Sequence, residues 1–270
     1  MNKTKLNIKL IAYTPNAEEL VACAGKLCYS KVGVDEIAKK QSPEDVDRFV
    51  NMLAGMEHYS PLEHACYTFA VEGVSRALTH QLVRHRLASY SQQSQRYVDL
   101  KDNFEYITPV EIDHYPHIKN RFDRLMNVIF EEYVAISQEL LFEYCKEWVE
   151  KNDETWQLAF NGGVIEYMEK NHKRVYNKLI KRAIENARYV LPNACETKIV
   201  FTMNARTLLH FLEKRECRRA QTEIMQMAEE MRKILIEVSP SLFKYSGAGC
   251  RKGKCPEGNF CCGQPKEKVK

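Results

Sequence analysis

Three basic side chains stand together at Arg84, His85 and Arg86, and seven residues without charge or glycine separate them from Ser94, which precedes Arg96 and Tyr97. Guanidinium forks match phosphate oxygens, whereas Ser hydroxyls and Gln amides match the carbonyl and imide edge of a heteroaromatic ring. A ligand with both halves is a nucleotide. No glycine occurs between Val74 and Asn161 and there is no Gly-Lys-Ser/Thr element, so side chains have to hold the phosphate in place of a P-loop. The alternative reading of the basic cluster is a set of cations satisfying the dipole at a helix C-terminus.

Two other stretches carry candidate chemistry. His58, Glu63 and His64 offer two imidazoles and a carboxylate within seven residues, but the H-E-x-x-H helix spacing is absent and Pro61 predicts an extended loop, so no metal is assigned. After Asn204 a helical pattern puts Leu208, Phe211 and Leu212 on one face. Arg215 falls in the middle of that face, where a solvated cation would not be placed, while Arg206 and His210 share the opposite side. A helix with two functional faces lies between two ligands or two subunits. Ser94 has no neighbouring histidine or carboxylate to activate it, which predicts a positioning role.

The motifs His58-x-Ser60-Pro61-x-Glu63-His64, Arg84-His85-Arg86 with Ser94-x-Arg96-Tyr97, Arg188-x-x-Leu191-Pro192 and Asn204-Ala205-Arg206, with the helix through Arg215, follow one another up to about Leu235. In this order they resemble the flavin-dependent thymidylate synthases. The resemblance implies methylation of dUMP to dTMP, with 5,10-methylenetetrahydrofolate as carbon donor, FAD as redox carrier and NADPH as reductant. It implies that Gln81, Leu82, Val83, Arg84, Gln92, Gln93, Ser94, Gln95, Arg96, Arg188 and Arg215 surround dUMP. Ser60, Arg84, His85, Arg86, Gln92, Asn204, Ala205, Arg206 and His210 would surround FAD, with His58 near the flavin ring. Ser91 and Gln92 stand where the family often has Asn and Glu. A homotetramer with shared active sites is implied, Arg84 and Arg215 reaching one nucleotide from different subunits. Uracil C5 is a poor nucleophile, and no core cysteine sits in the motif that other thymidylate synthases use to attack C6. The resemblance implies that the flavin does the hard chemistry, and Arg215, always charged, is the catalytic candidate as a stabiliser of negative charge on the uracil edge.

The elements that must position these residues can be read from periodicity. Leu6, Ile8 and Leu10 alternate with polar residues as a strand, and Ala17 to Tyr29 reads as a helix. Ser42-Pro43-Glu44 starts another helix, which runs to about Glu57. A strand over Ala65 to Val71 follows the His58 to His64 loop, and a helix from Val74 to Arg86 packs His85 inward with Arg84 and Arg86 to either side. After an irregular Phe104 to Tyr115 come helices over Ile118 to Val149 and Val164 to Arg188, the latter stopped by Pro192. The connection from Asn152 to Gly163 is assigned no chemistry. Thr197 to Met203 alternates as a strand, Asn204 caps the Arg215 helix, and a last helix spans Arg219 to Val238. The pattern is α+β, a mixed or antiparallel sheet flanked by long helices, in a single catalytic domain over 1–240 with a Cys-, Lys- and Gly-rich tail over 241–270.

Composition agrees with a globular enzyme: 270 residues, 44% hydrophobic, 28% charged, and 40 Lys plus Arg against 36 Asp plus Glu. That balance is too even for a general polyanion-binding surface. No apolar run is long enough to cross a bilayer, and the first residues lead into a strand pattern, so a cytoplasmic protein acting on small molecules is expected, with neither nucleic acid nor membrane as partner. The ten cysteines are expected as reduced thiols, those at 250, 255, 261 and 262 in a flexible tail. A nucleic-acid-binding module and a flavoenzyme acting on another uracil-containing substrate are the competing readings.

Overall fold

Asn7–Tyr13 (β1) pairs antiparallel with Cys66–Ser75 (β2), and Ala88–Gln92 (β3) pairs antiparallel with Glu196–Asn204 (β4). The sheet order is β1-β2-β4-β3, so the late strand β4 is inserted beside β2. Tyr67, Phe69 and Val71 of β2 and Ile199, Phe201 and Met203 of β4 are buried at alternate positions, and their facing side chains build one core. Thr68 and Thr202 link the two strands through hydroxyls 2.9 Å apart. The computed structural model describes residues 4–56, 58–97, 105–153 and 163–268. These separate into two compact units, one from the segments Lys5–Gln92 and Thr197–Lys270, the other chiefly from Gln93–Glu196.

The sheet belongs to the first unit, and helices Ala17–Leu27 (α1), Pro43–Gly55 (α3) and Arg76–Leu82 (α4) close its core, with Val34–Lys39 (α2) against α1. The hydroxyl of Ser42 accepts the Asp45 N–H at 3.2 Å, the cap expected at the start of α3. Ser75 does the same for Leu78 at 3.0 Å and also gives its own N–H and hydroxyl to the Glu223 carboxylate, at 2.7 and 2.6 Å. The end of β2 is thus fixed to a helix far away in sequence.

The second unit is helical. Val110–Asp113 (α5) leads into the long Pro116–Asn152 (α6), against which Val164–Asn171 (α7) and Lys173–Ala187 (α8) pack, ending in a 3-10 turn at Arg188–Val190. Cys145, Val149, Val164 and Met168 form its core. The single helix expected over Val164 to Arg188 is broken at His172, whose φ of −132° and ψ of 40° are not helical. Its ring lies against Trp148, 4.6 Å between centroids, and its Nε2 is 3.2 Å from Asp153 Oδ2, contacts that a continuous helix would not reach.

In the first unit the chain continues with Ala205–Arg215 (α9), Thr222–Val238 (α10) and Pro240–Phe243 (α11). Three further sequence readings change. His58 to His64 is not extended: Ser60–His64 is a 3-10 turn, with Pro61 near its start, where its fixed φ favours a helical turn. The helix expected through Arg86 stops at Leu82, where the Tyr90 hydroxyl shares its one proton between the carbonyls of Leu82 and His85, at 2.9 and 2.7 Å, and holds the chain in a turn. The 241–270 segment, expected as a flexible tail, belongs to the first unit, with Ala248, Cys250 and Lys266 buried. Where the sequence suggests one domain over 1–240, the structure has two units, and the boundary falls inside the signature, between Gln92 and Gln93. Glu57, Phe104 and most of the Asn152 to Gly163 connection lie outside the described residues.

Gly73 takes a φ of +69°, and a Cβ there would lie 2.2 Å from the Lys5 carbonyl oxygen. Gly73→Ala is expected to lower the free energy of unfolding by about 2–3 kcal/mol, combining left-handed strain with a backbone clash. Urea unfolding measures it, and a change under about 0.5 kcal/mol would contradict the assignment.

Candidate active site

The turn Val83–Leu87 between α4 and β3 presents its residues alternately. His85 is buried, with 6% of its surface exposed, while Arg84 and Arg86 are exposed. Helix α9 starts beside this turn: Asn204 caps it by accepting the Thr207 N–H at 2.9 Å, and the buried Ala205 gives its N–H to the Ala65 carbonyl at 2.8 Å. The last turn of α9 then delivers Arg215. Its Nε donates to His85 Nε2 at 2.9 Å and its Nη1 to Gln81 Oε1 at 3.0 Å.

Because Nε2 accepts from a guanidinium, the neutral imidazole carries its proton on Nδ1, which is buried without a protein partner. Burial pushes His85 down to about 4, helped by the positive charge of Arg215 and by His210. The packed role expected for His85 is what the structure gives it: the ring meets Phe211 edge-on at 5.0 Å between centroids. Burial lowers the pKa of Arg215 as well, and Arg84 adds like-charge repulsion. Both acceptors on Arg215 are neutral, and among the described residues no carboxylate pairs with it. Two guanidiniums and an imidazole that resists protonation make this corner of the first unit electropositive.

Within one chain the charge of Arg84 is near enough to lower the pKa of Arg215. The two-faced reading of α9 also changes. His210 lies 5.8 Å from the His85 ring, so His210 and Arg215 flank His85 and do not sit on unrelated sides. Arg206 does point away, pairing with Glu63 at 2.5 Å and lying over the Tyr59 ring. A cavity of about 750 Å3 is lined by Arg86, Leu87, Asn204, Arg206, Leu209 and His210 on one side and by Tyr245, Gly247, Arg251, Lys252 and Lys268 on another. A smaller hollow of about 400 Å3 holds His58, Ser60 and Tyr59, with Arg206 bordering both.

Other residues of the signature serve the frame. Leu82 is fully buried in the core, so it can offer a ligand no side-chain contact; Val83 is half-buried beside it. Gln92 gives its amide to Thr79 at 2.9 Å and Thr197 at 3.2 Å, tying β3 to α4 and β4. In the helical unit, Arg96 pairs with Glu185 at 2.5 Å, and Arg188 donates from Nε to the Glu185 carbonyl at 3.2 Å. Gln93, Ser94 and Gln95 are half-buried, and the Ser94 hydroxyl accepts the Arg96 N–H at 3.2 Å. Among the described residues no group of three His, Cys, Asp or Glu side chains is placed to hold a metal ion. Sequence reasoning missed Glu185, Tyr90 and the cavity wall built by the C-terminal segment. The alternation from Ala88 to Gln92 was a usable signal for β3; nothing local marks the wall.

The fold places Arg84 and Arg215 around His85, with a larger, partly cationic cavity on the same unit. Residues 9–241 match the family model described as thymidylate synthase complementing protein. Flavin-dependent thymidylate synthases of Clostridium tetani and Geobacter sulfurreducens are 49% and 40% identical over 265 and 263 residues, covering 98% and 97% of this chain and 96% of each relative. The chain belongs to the flavin-dependent thymidylate synthase family. A UMP/dUMP methylase from Streptomyces cacaoi, solved with 5-Br dUMP, shares the fold with a TM-score of 0.62 at 21% identity, over 89% of this chain and 94% of that one.

The depressed pKa of His85 makes a stability prediction. Between about pH 6.5 and 4 the unfolded chain takes up a proton that the folded chain refuses, so stability falls as the pH is lowered through that window. From pH 7 to 5 the wild-type chain should lose about 2 kcal/mol more than His85→Gln, as measured by denaturant unfolding at both values. Equal losses would mean that His85 is charged at pH 5.

Proposed function

We propose that the chain methylates dUMP to dTMP, taking the carbon from 5,10-methylenetetrahydrofolate and electrons from NADPH through FAD. The observation that carries this reading is Arg215, a partly buried guanidinium held by two neutral acceptors and flanked by Arg84. Negative charge on the N3 and carbonyl edge of uracil would find its stabiliser already aimed, in a setting drier than water. Arg215 cannot act as a base; it holds charge. In the first unit Arg84 is the cation for the phosphate and Gln81 a neutral hydrogen-bonder. The helical unit carries its own candidates, the cations Arg96 and Arg188 around Glu185 and the neutral Gln93, Ser94 and Gln95, with Ser94 in a positioning role and not as a nucleophile.

The larger cavity fits FAD on three counts. Its volume of about 750 Å3 is in the range of cofactor sites, Leu87, Leu209 and Leu242 offer apolar surface, and Arg86, Arg206 and Lys252 offer cations for a pyrophosphate. Asn204, Arg206 and His210 project from one helix start, so the wall is rigid. When bound, FAD supplies the hydride chemistry that completes the methyl group. Ser60 and His58 in the adjoining hollow extend the same surface. A homotetramer is part of the proposal, supported by the exposed Leu125, Val128 and Phe142 on α6, and the cytoplasm is the proposed compartment. No helix among the described residues is long and apolar enough to cross a membrane.

The purified chain is expected to show visible flavin bands after incubation with FAD and dialysis, to change that spectrum on titration with dUMP, and to form dTMP when the donor and NADPH are added. Arg215→Ala should keep the flavin and lose about 100-fold or more in kcat/KM. A chain that takes up no FAD, or an Arg215→Ala enzyme with unchanged turnover, would refute the reading. Light scattering giving a four-chain mass checks the assembly.

A further inference from the structure

Immediately after Arg215 the chain places a carboxylate where helix electrostatics disfavour one. Glu216 closes the C-terminus of α9, at the negative end of its dipole, and only 1% of its surface is exposed. Its hydrogen-bond partners come from the C-terminal segment, with the charge of Arg232 of α10 nearby. Arg251 donates Nε to both oxygens at 3.1 and 3.0 Å and Nη2 to Oε1 at 2.7 Å, and the Ala248 N–H reaches Oε2 at 2.8 Å. Gly247 makes the approach possible: its φ is +105°, and a Cβ there would lie 2.0 Å from Glu216 Oε2.

The segment is itself pinned on both sides of this joint. Arg232 of α10 donates to the carbonyls of Ser246 and Lys244 at 2.9 and 3.1 Å, and Arg251 Nη1 donates to the Glu267 carbonyl at 2.9 Å. Lys266, buried, pairs with Glu229 of α10 and gives its N–H to Cys250 Sγ at 3.4 Å. Arg219 pairs with Glu257 at 2.5 Å. Arg215 lines a cavity of about 210 Å3 together with Ala248, Cys250 and Cys255, so the segment and Arg215 border the same space.

We propose that residues 246–267 are a strap that sets the last turn of α9, with Glu216 and Arg251 acting as positioning residues for Arg215. A buried ion pair contributes little net stability compared with a well-packed apolar pair, but it fixes geometry, and a displacement of about 1 Å at a charge-stabilising group is costly to catalysis. The inference rests on the assignment of Arg215 to dUMP.

The test is a double-mutant cycle on the full chain with FAD bound, combining Arg251→Gln with Arg215→Lys and reading both kcat and the dUMP dissociation constant. Alone, Arg251→Gln, assayed at saturating FAD because Arg251 also lines the larger cavity, is expected to lower kcat at least 10-fold. In the Arg215→Lys background the same change is expected to cost less than 3-fold on either reading. Arg251→Lys, which keeps the charge but loses the fork, should fall between wild type and Arg251→Gln, and it replaces Arg251→Gln in the cycle if that variant does not accumulate. Equal losses in both backgrounds, or an unchanged kcat, would overturn the strap as a positioning device. Absence of dUMP turnover in the wild-type chain would instead reject the proposed function, so the two failures are distinguishable.

Discussion

A partly buried positive charge with no carboxylate partner among the described residues sets the terms for the rest of the catalytic unit. Arg215 cannot lose its proton, and desolvating it next to Arg84 raises the free energy of the ligand-free site. The fold tolerates this because Gln81 and His85 accept its N–H groups without neutralising it. His85 can do so only as an uncharged ring, which its packing against Phe211 enforces. The Tyr90 hydroxyl then fixes the turn carrying His85, and Asn204 fixes the start of the helix carrying Arg215. Each contact is ordinary. Together they keep a charge exposed to one direction of approach.

The helical unit handles its cations in the opposite way. Arg96 is paired with Glu185, and Arg188 leans on the backbone of the same residue. An exposed pair of this kind is worth at most about 1 kcal/mol, so an incoming anion can compete for Arg96 at small cost. One group of arginines is held in readiness by neutral acceptors and the other by a carboxylate that can yield.

Much of this was legible in the sequence because it is local. The Ser42 and Asn204 caps, the alternation of β1, β2 and β4, and the apolar stripe of α9 are encoded within a few residues of where they act. The Arg215 anomaly was visible too, as a cation on an apolar face. What was not legible depends on partners distant in sequence. Leu82 looked like one more residue of a ligand-binding run until the core claimed it, and the helix through Arg86 was cut short by a hydroxyl from β3. Nothing local sets Glu216 apart from the neighbouring Glu213 and Lys214, and only Arg251 and Gly247 show that it is buried. The C-terminal segment is rich in Lys, Gly and Cys, a composition that suggests mobility; its burial follows from side chains on α9 and α10 that complement it.

The position of β4 has a consequence for how the protein comes into being. β3 follows closely on β2, but in the sheet β4 lies between them, and the helical unit is encoded in between. During synthesis the signature turn therefore leaves the ribosome before the strand that will hold it in place. The sheet cannot close until residues 196–204 have emerged, and such non-local pairing is slow and leaves strand edges open in the meantime. The nascent chain must carry Arg84 to Arg86 through this interval without a site, and the binding surface forms among the last parts of the molecule.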